Sequence, residues 1–464
     1  MAVTVHYKHD VNEETQLLDD LSEINNDINK TRKKCSTPTA SKCRKLVIMA
    51  SALVLQCVSI GLGFGMSVMY PELVLVFNEL RSKAALIQGI YLGLTCGAGI
   101  LLTGLIKKVG PGPMIILGSI ISCIGFFASG FSQNVSTIIV LAGVVGGFGM
   151  STCYLSAFIA VSWIFHDDPG FPLVCVTVGS SIGQFIIPLL YELFISTYSW
   201  AGGFILVSGI ALQCLPIGVI IYTSRYYYVT NDVTKEQKVS PNALSTLKVY
   251  MLLLKDPLVW ILLLDFLLIA ATGNVEAWFI VDIMTSRGYP RESGSILVSA
   301  LGFANFLGRV SGSTVRLKCT RVPTVYHWLW LCPLIAGGHA LVINLTDYWA
   351  LFFACIIQGT TFGMNISQTP AIMFEVSGLD RYPQAMSLVN LMYGFGNVFS
   401  NAFGGFVRDT YGQYDIVFYA AVGSTLWIWV NNFCVVWTIR RRKRRENERT
   451  NVINIDRQKY EVLK

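Results

Sequence analysis

The chain carries about twelve apolar stretches of roughly 18 to 25 residues, each long enough to cross a hydrocarbon layer as a helix. No other feature limits the fold as strongly. In lipid a chain can satisfy its backbone N–H and C=O groups only as helices or as a closed barrel. A barrel would show short segments of alternating polarity, and these stretches do not alternate. Apolar residues make up 53% of the 464 positions and charged residues 14%, too few charges to cover a water-soluble surface. The expected spans are 46–70, 83–105, 113–131, 136–162, 171–193, 200–222, 254–277, 293–316, 324–343, 348–373, 384–406 and 414–438. The chain reads as an all-α membrane protein.

Lysine and arginine orient the spans. Arg32, Lys33, Lys34, Lys42, Arg44 and Lys45 precede span one, and Lys107 and Lys108 follow span two. Arg316, Lys318 and Arg321 follow span eight, and Arg440 to Arg445 follow span twelve. With an even span count all of these share one side, which the positive-inside rule assigns to the cytosol together with both termini. Arg81, Lys83, Arg287, Arg291 and Arg408 are exceptions on the other side, each near acidic neighbours. No apolar core precedes the first basic stretch, so span one is expected to act as a signal anchor. The net charge of +7 sits at membrane borders, where anionic lipid explains it and no nucleic-acid partner is needed. The twelve cysteines are scattered and lack the paired spacing of a zinc or redox site.

Similar strings recur about 210 residues apart, as in transporters built from repeats. Phe148-Gly149-Met150 returns as Phe362-Gly363-Met364, Pro169 as Pro383, Gly183 as Gly396 and Thr197-Tyr198 as Thr410-Tyr411. Two pseudo-symmetric six-helix halves follow, at 45–222 and 254–438, joined by a polar cytosolic linker at 223–253. The tails, 1–44 and the basic 439–464, have the polarity of disordered segments. Two parallel six-helix halves resemble the major facilitator superfamily, whose solute site lies between the halves near the midplane.

Three segments make the resemblance more specific. They are Ser162–Phe204 (SWIFHDDPGFPLVCVTVGSSIGQFIIPLLYELFISTYSWAGGF), Ile296–Arg309 (ILVSALGFANFLGR) and Gly404–Tyr419 (GGFVRDTYGQYDIVFY). The first is similar to the span-five signature of the monocarboxylate transporter family and its Tyr-Gly-Trp-Arg-Gly-x-Phe turn. The last is similar to that family's Gly-x-x-x-Asp-x-x-Gly-x-Tyr motif. The resemblance implies a solute carrier of the major facilitator fold moving a small carboxylate by symport. It further implies a plasma-membrane location and, for some members, a single-span immunoglobulin-type ancillary protein. Departures fall on charged positions. The lysine that meets the substrate in the family's lactate carriers corresponds to Glu72, a paired aspartate and arginine in span eight correspond to Asn305 and Arg309, and a basic cluster opening span five corresponds to His166, Asp167 and Asp168.

Ionisable groups within spans cost about 2 to 4 kcal/mol each near the bilayer centre, so each is expected to face a cavity or a partner. Arg309 leads the candidates, since its planar fork fits a carboxylate bidentately. Asn305, one turn away, shares its face. Asp265 is expected at a similar depth, where it either pairs with Arg309 or carries a proton. Glu72 is either exposed at the outer end of span one or faces the cavity, where it would favour a neutral, zwitterionic or cationic solute such as an amino acid. Glu276 is expected at the membrane interface. Tyr70 and Tyr393 are the aromatic candidates for shaping the solute.

The function expected is transport of a small carboxylate-bearing organic solute by alternating access, with a co-transported proton left open and no cofactor required. No Walker-type phosphate loop accompanies the spans, which removes an ATP-driven pump. An enzyme would need clustered acid–base residues, but there are only five histidines, and His166 and His327 sit near span ends. A non-transporting receptor or scaffold is the remoter alternative. The partners expected are the solute and membrane lipid.

Overall fold

The computed structural model describes residues 41–165, 170–225, 243–318, 323–377 and 381–462. Residues 1–40 of the expected tail, the His166–Asp168 departure, Pro169, Arg321 and most of the 223–253 linker lie outside them. Among the described residues the structure is built from helices. The membrane passages are α1 (Lys42–Phe77), α2 (Arg81–Gly97 with Gly99–Val109, bent by 50°), α3 (Pro111–Ser129), α4 (Val135–Ile164), α5 (170–198) and α6 (200–223) in the first half. In the second they are α7 (Pro257–Thr272 with Val275–Ser286), α8 (Arg291–Lys318), α9 (Val325–Asn344), α10 (Tyr348–Ser377), α11 (Tyr382–Tyr411) and α12 (Asp415–Val462).

Local sequence sets the ends and breaks. Asn134 caps α4, accepting from Thr137 N–H at 2.8 Å, and Asp256 caps α7, accepting from Leu258 N–H at 2.9 Å. Pro111 and Pro257 open α3 and α7, where a missing N–H costs nothing. The pair Gly273-Asn274 breaks α7, and Ile139–Gly146 runs in a π-helical register inside α4. Measured by length and apolarity alone, nine described helices are able to span a membrane, or ten with the bent α2. That test misses α11, which is too polar, and it merges α5 with α6. These two are separated at Ser199, whose φ of 62° and ψ of 177° suit glycine. Ser199 stands where the resembling family has the glycine of its turn, and its side chain is exposed. Ser199→Gly is therefore expected to stabilise the chain by about 1 kcal/mol, read as a higher melting temperature in detergent.

An even number of passages puts the start of α1 and the end of α6 on one face, where the Arg44 side chain donates to Ser224 Oγ at 3.2 Å. The α9 start and the basic end of α12 meet there too, Arg440 donating to the Tyr326 hydroxyl. We call this the terminal face and its opposite the distal face. Apolar side chains such as Leu101, Trp349, Phe353 and Trp437 remain exposed around the bundle, as lipid contact requires. Two departures from expectation concern polar segments. The linker ends in a helix, Ala243–Leu254, and the tail expected to be disordered continues α12 to Val462. Arginine, lysine and glutamate are good helix formers, so a basic tail can extend a helix already nucleated in lipid.

Close approach between the halves needs residues without a side chain. A Cβ on Gly405 of α11 would lie 2.4 Å from Ser82 Cα of α2, and one on Gly394 would lie 2.6 Å from the Gly93 carbonyl oxygen. Small residues give this contact where lipid supplies no hydrophobic drive.

Candidate functional site

At mid-membrane the halves meet around Arg309. Asn305 and Arg309 are one turn apart on α8, and Arg309 Nε donates to Asn305 Oδ1 at 2.8 Å. Ser181 Oγ of α5 donates to the same oxygen at 2.9 Å, and Arg309 Nη1 donates to the Thr177 carbonyl of α5 at 3.0 Å. The guanidinium thus holds Asn305 on its own helix with Nε and bridges to the other half with Nη1. Among the described residues no carboxylate lies within ion-pair distance of it. Tyr154 of α4 and Tyr393 of α11 stand close enough to interact with its charge. The Tyr393 hydroxyl also lies 3.3 Å from Thr369 Oγ1. Asn305, Arg309 and Tyr393 therefore gather in one place.

The remaining candidates lie elsewhere. Asp265 does not pair with Arg309: it is 0% exposed, accepts from Asn431 Nδ2 of α12 at 3.0 Å, and leaves Oδ2 without a partner among the described residues. Similar depth did not give a shared face, because Asp265 points toward α12. Glu72 is neither free nor in the cavity. Its Oε2 accepts from Arg291 Nη1 at 2.5 Å, and Arg291 Nε donates to Glu192 of α5 at 2.7 Å. Tyr70 is also removed from Arg309, its hydroxyl lying 3.0 Å from that of Tyr414. Glu276 is not interfacial, being 1% exposed and bonded to His339.

Glu72 and Tyr70 belong instead to a latch on the distal face. Asp282 of α7 is 3% exposed. Its Oδ2 accepts from Tyr414 OH at 2.8 Å and Arg81 Nε at 3.1 Å, with Arg408 Nε at 3.5 Å. Both oxygens of Asp409 cap the N-terminus of α2, accepting from Arg81 N–H and Ser82 N–H at 2.8 Å each. Beneath, Phe64 stacks on Trp278 with centroids 4.9 Å apart, and Phe279 stacks on Tyr414 at 4.8 Å. The motif Gly405-x-x-x-Asp409-x-x-Gly412-x-Tyr414 becomes legible as one device. Gly405 admits the α2 backbone, Asp409 caps α2, Gly412 turns the chain at φ 74°, and Tyr414 holds Asp282.

The latch is reciprocal. Asp282 stands 210 positions after Glu72, and Arg291 the same distance after Arg81. Each acid sits near the distal end of the first helix of its half, and each arginine opens the second helix of its half. The bonds cross, Glu72 to Arg291 and Asp282 to Arg81. Apart from the belt at Arg309, the described polar bonds between the halves lie on the distal face. The structure is closed toward that face.

The model of the Major Facilitator Superfamily matches residues 52–326 and 325–454. Monocarboxylate transporter 6 of Mus musculus is 24% identical over 398 residues, covering 81% of this chain and 83% of that protein. Monocarboxylate transporter 4 of Mus musculus is 24% identical over 395 residues, with 82% and 81% covered. Among solved structures, a peptide transporter superposes with a TM-score of 0.67 at 15% identity, covering 88% of this chain and 98% of its own. A D-xylose-proton symporter does so with 0.62 at 14%, covering 83% and 96%. At such identities these two inform the fold alone.

Proposed function

Because the chain belongs to the Major Facilitator Superfamily and is a transporter related to the monocarboxylate transporters, we propose that its solute is a small organic carboxylate, received at Arg309 and moved by alternating access without ATP. One observation carries this reading: a half-buried guanidinium between the halves, with no carboxylate of the described chain against it. A buried charge without a counter-ion is costly, and an arriving carboxylate would supply one through charge-assisted hydrogen bonds. Tyr154 and Tyr393 beside it would bound the remainder of the solute.

A neutral, zwitterionic or cationic solute was favoured by Glu72 only if that residue faced the cavity. Its bond to Arg291 removes that support. In our reading the terminal face, with Lys107, Lys108 and Arg440, is cytosolic, and the distal latch faces the outside of the plasma membrane. A single-span immunoglobulin-type ancillary protein is suggested by the resemblance alone.

The test is an uptake screen in reconstituted vesicles, with and without a proton gradient, across radiolabelled monocarboxylates, amino acids and neutral sugars. Saturable uptake confined to carboxylates is the expected result. Uptake confined to amino acids or sugars would overturn it.

A further inference from the structure

On the terminal face a cavity of about 260 Å³ opens among the ends of α2, α4 and α6 and the start of α3. It lies at the border where these helices leave the lipid, and neither the latch nor the Arg309 site takes part in it. Lys107 and Lys108 of α2 line it together with Arg225, which follows α6. All three are exposed. Trp163 from the last turn of α4 and Tyr222 from the last turn of α6 supply aromatic walls. The local sequence builds this shape. Gly110, at φ 101°, turns the chain from α2 into α3, a conformation that suits glycine. Gly112 then brings α3 against α6, since a Cβ there would lie 2.6 Å from Tyr222 Cβ. Over the Tyr222 ring lies the Arg225 guanidinium, 4.0 Å from the centroid, in a cation–π contact that keeps its charge beside the cavity. Charge on this face of the first half is unbalanced. Lys42, Arg44, Lys45, Lys107, Lys108 and Arg225 stand at its helix ends, whereas the acids among the described residues of that half are Glu72, Glu79 and Glu192, all toward the distal face. Asp167 and Asp168 follow α4 in sequence and lie outside the described residues. Counted against the six bases, these two acids still leave the bases in excess.

We propose that this cavity binds the phosphorylated headgroup of an inositol phospholipid from the adjoining leaflet. A phosphate monoester concentrates about two negative charges and three acceptor oxygens in one group. Arg225 meets such a group as a forked donor, and the two lysines meet it as point charges. At about 260 Å³ the cavity falls just below the range of ordinary small-molecule sites, which fits a headgroup whose acyl chains stay outside in lipid. Leu105 and Val109 of α2 and Val219 and Ile220 of α6, on two of the helices that border the cavity, present exposed apolar surface to those chains. Basic pockets between membrane helices on the cytosolic side recognise headgroups of this class, whereas bases spread over a surface attract any anionic lipid. From the reading above the proposal takes only that the terminal face is cytosolic. The cavity itself belongs wholly to the first half and needs neither Arg309 nor a carboxylate solute.

The test is native mass spectrometry of the full-length protein in micelles doped with phosphatidylinositol monophosphate or, at equal total charge, with phosphatidylserine. The expected result is retention of the inositol lipid with an affinity at least about tenfold above that of phosphatidylserine. Lys107→Gln with Lys108→Gln and Arg225→Gln should weaken that binding by at least about tenfold. Lys255→Gln with Arg441→Gln, which removes exposed bases of the same face outside the cavity, should change it by less than about twofold. Equal affinity for the two lipids, or equal losses in the two sets of variants, would show attraction to charge alone and overturn the proposal. The comparison of lipids on the wild type decides the matter should the triple variant fail to fold. A soluble inositol phosphate that displaces the lipid at equal concentration would assign the cavity to a free phosphate ligand and overturn the lipid assignment. Binding that appears only in Asp167→Asn with Asp168→Asn would show the cavity to be taken by the chain's own acids. That result too would overturn it. Sidedness is checked separately: a tag at Lys464 labelled from outside intact cells would put the cavity in the wrong leaflet, whatever its affinity.

Discussion

Asp282→Asn is expected to open the distal face. The change keeps the shape of the side chain but removes the charge that holds Arg81 and Arg408 and weakens the acceptor for Tyr414. Breaking a buried pair from one side costs about 3 to 5 kcal/mol, and the lower figure applies here because Arg81 is a third exposed. At about 1.4 kcal/mol per tenfold, that shifts the balance between closed and open distal faces roughly 100-fold. Spin labels at Tyr198 and Trp349, exposed residues in opposite halves near the distal face, would report it by pulsed electron resonance in a cysteine-depleted background. A longer distance should become dominant in the variant. Glu72→Gln should do much less, since Glu192 still holds Arg291. Unchanged distances in Asp282→Asn would show that the latch does not govern closure.

Arg309→Lys is the second large effect. Lysine keeps the charge but loses the planar fork, so it cannot bridge Asn305 and Thr177 while also presenting two parallel donors to a carboxylate. Loss of about 2 to 5 kcal/mol of such bonding corresponds to a fall in carboxylate uptake of at least about tenfold, with surface expression preserved. Arg309→Gln should abolish uptake. Adding Asp265→Asn should restore nothing, because Asp265 answers to Asn431 and not to Arg309. Recovery of transport in that double variant would sink the assignment of Arg309 as the anion site.

Much of the fold was legible because lipid enforces it. Apolar length fixed the passages, and the repeat divided them into halves. Even α11, too polar to qualify by apolarity, was bracketed by its neighbours. Asn305 and Arg309 were readable together because a spacing of four puts two side chains on one helix face. Contacts between helices were less accessible. Glu276 and His339 are 63 positions apart, and no local periodicity joins them. Asp265 was matched to Arg309 by depth, but depth leaves the direction around the helix undetermined. The latch did leave a trace. Arg81, Arg291 and Arg408 break the charge rule that the other basic residues obey, and arginines held there need acids to hold them. The correspondence of Glu72 with Asp282 was hidden because the two positions carry the same charge on different side chains within otherwise unlike strings.

The crossed bonds of the latch have a consequence for how such a chain can be divided. The two symmetry-related bonds, Glu72 to Arg291 and Asp282 to Arg81, each join an acid of one half to an arginine of the other, while Arg408 adds a longer contact to Asp282 from within the second half. Two identical six-helix chains meeting about a two-fold axis would form both bonds from a single acid and a single arginine, as any isologous interface does. The closed distal face is thus laid out as a homodimer contact carried within one polypeptide. Severing the linker between the halves would leave that contact intact, and separately expressed halves have the means to recognise each other on this face before the solute site is assembled.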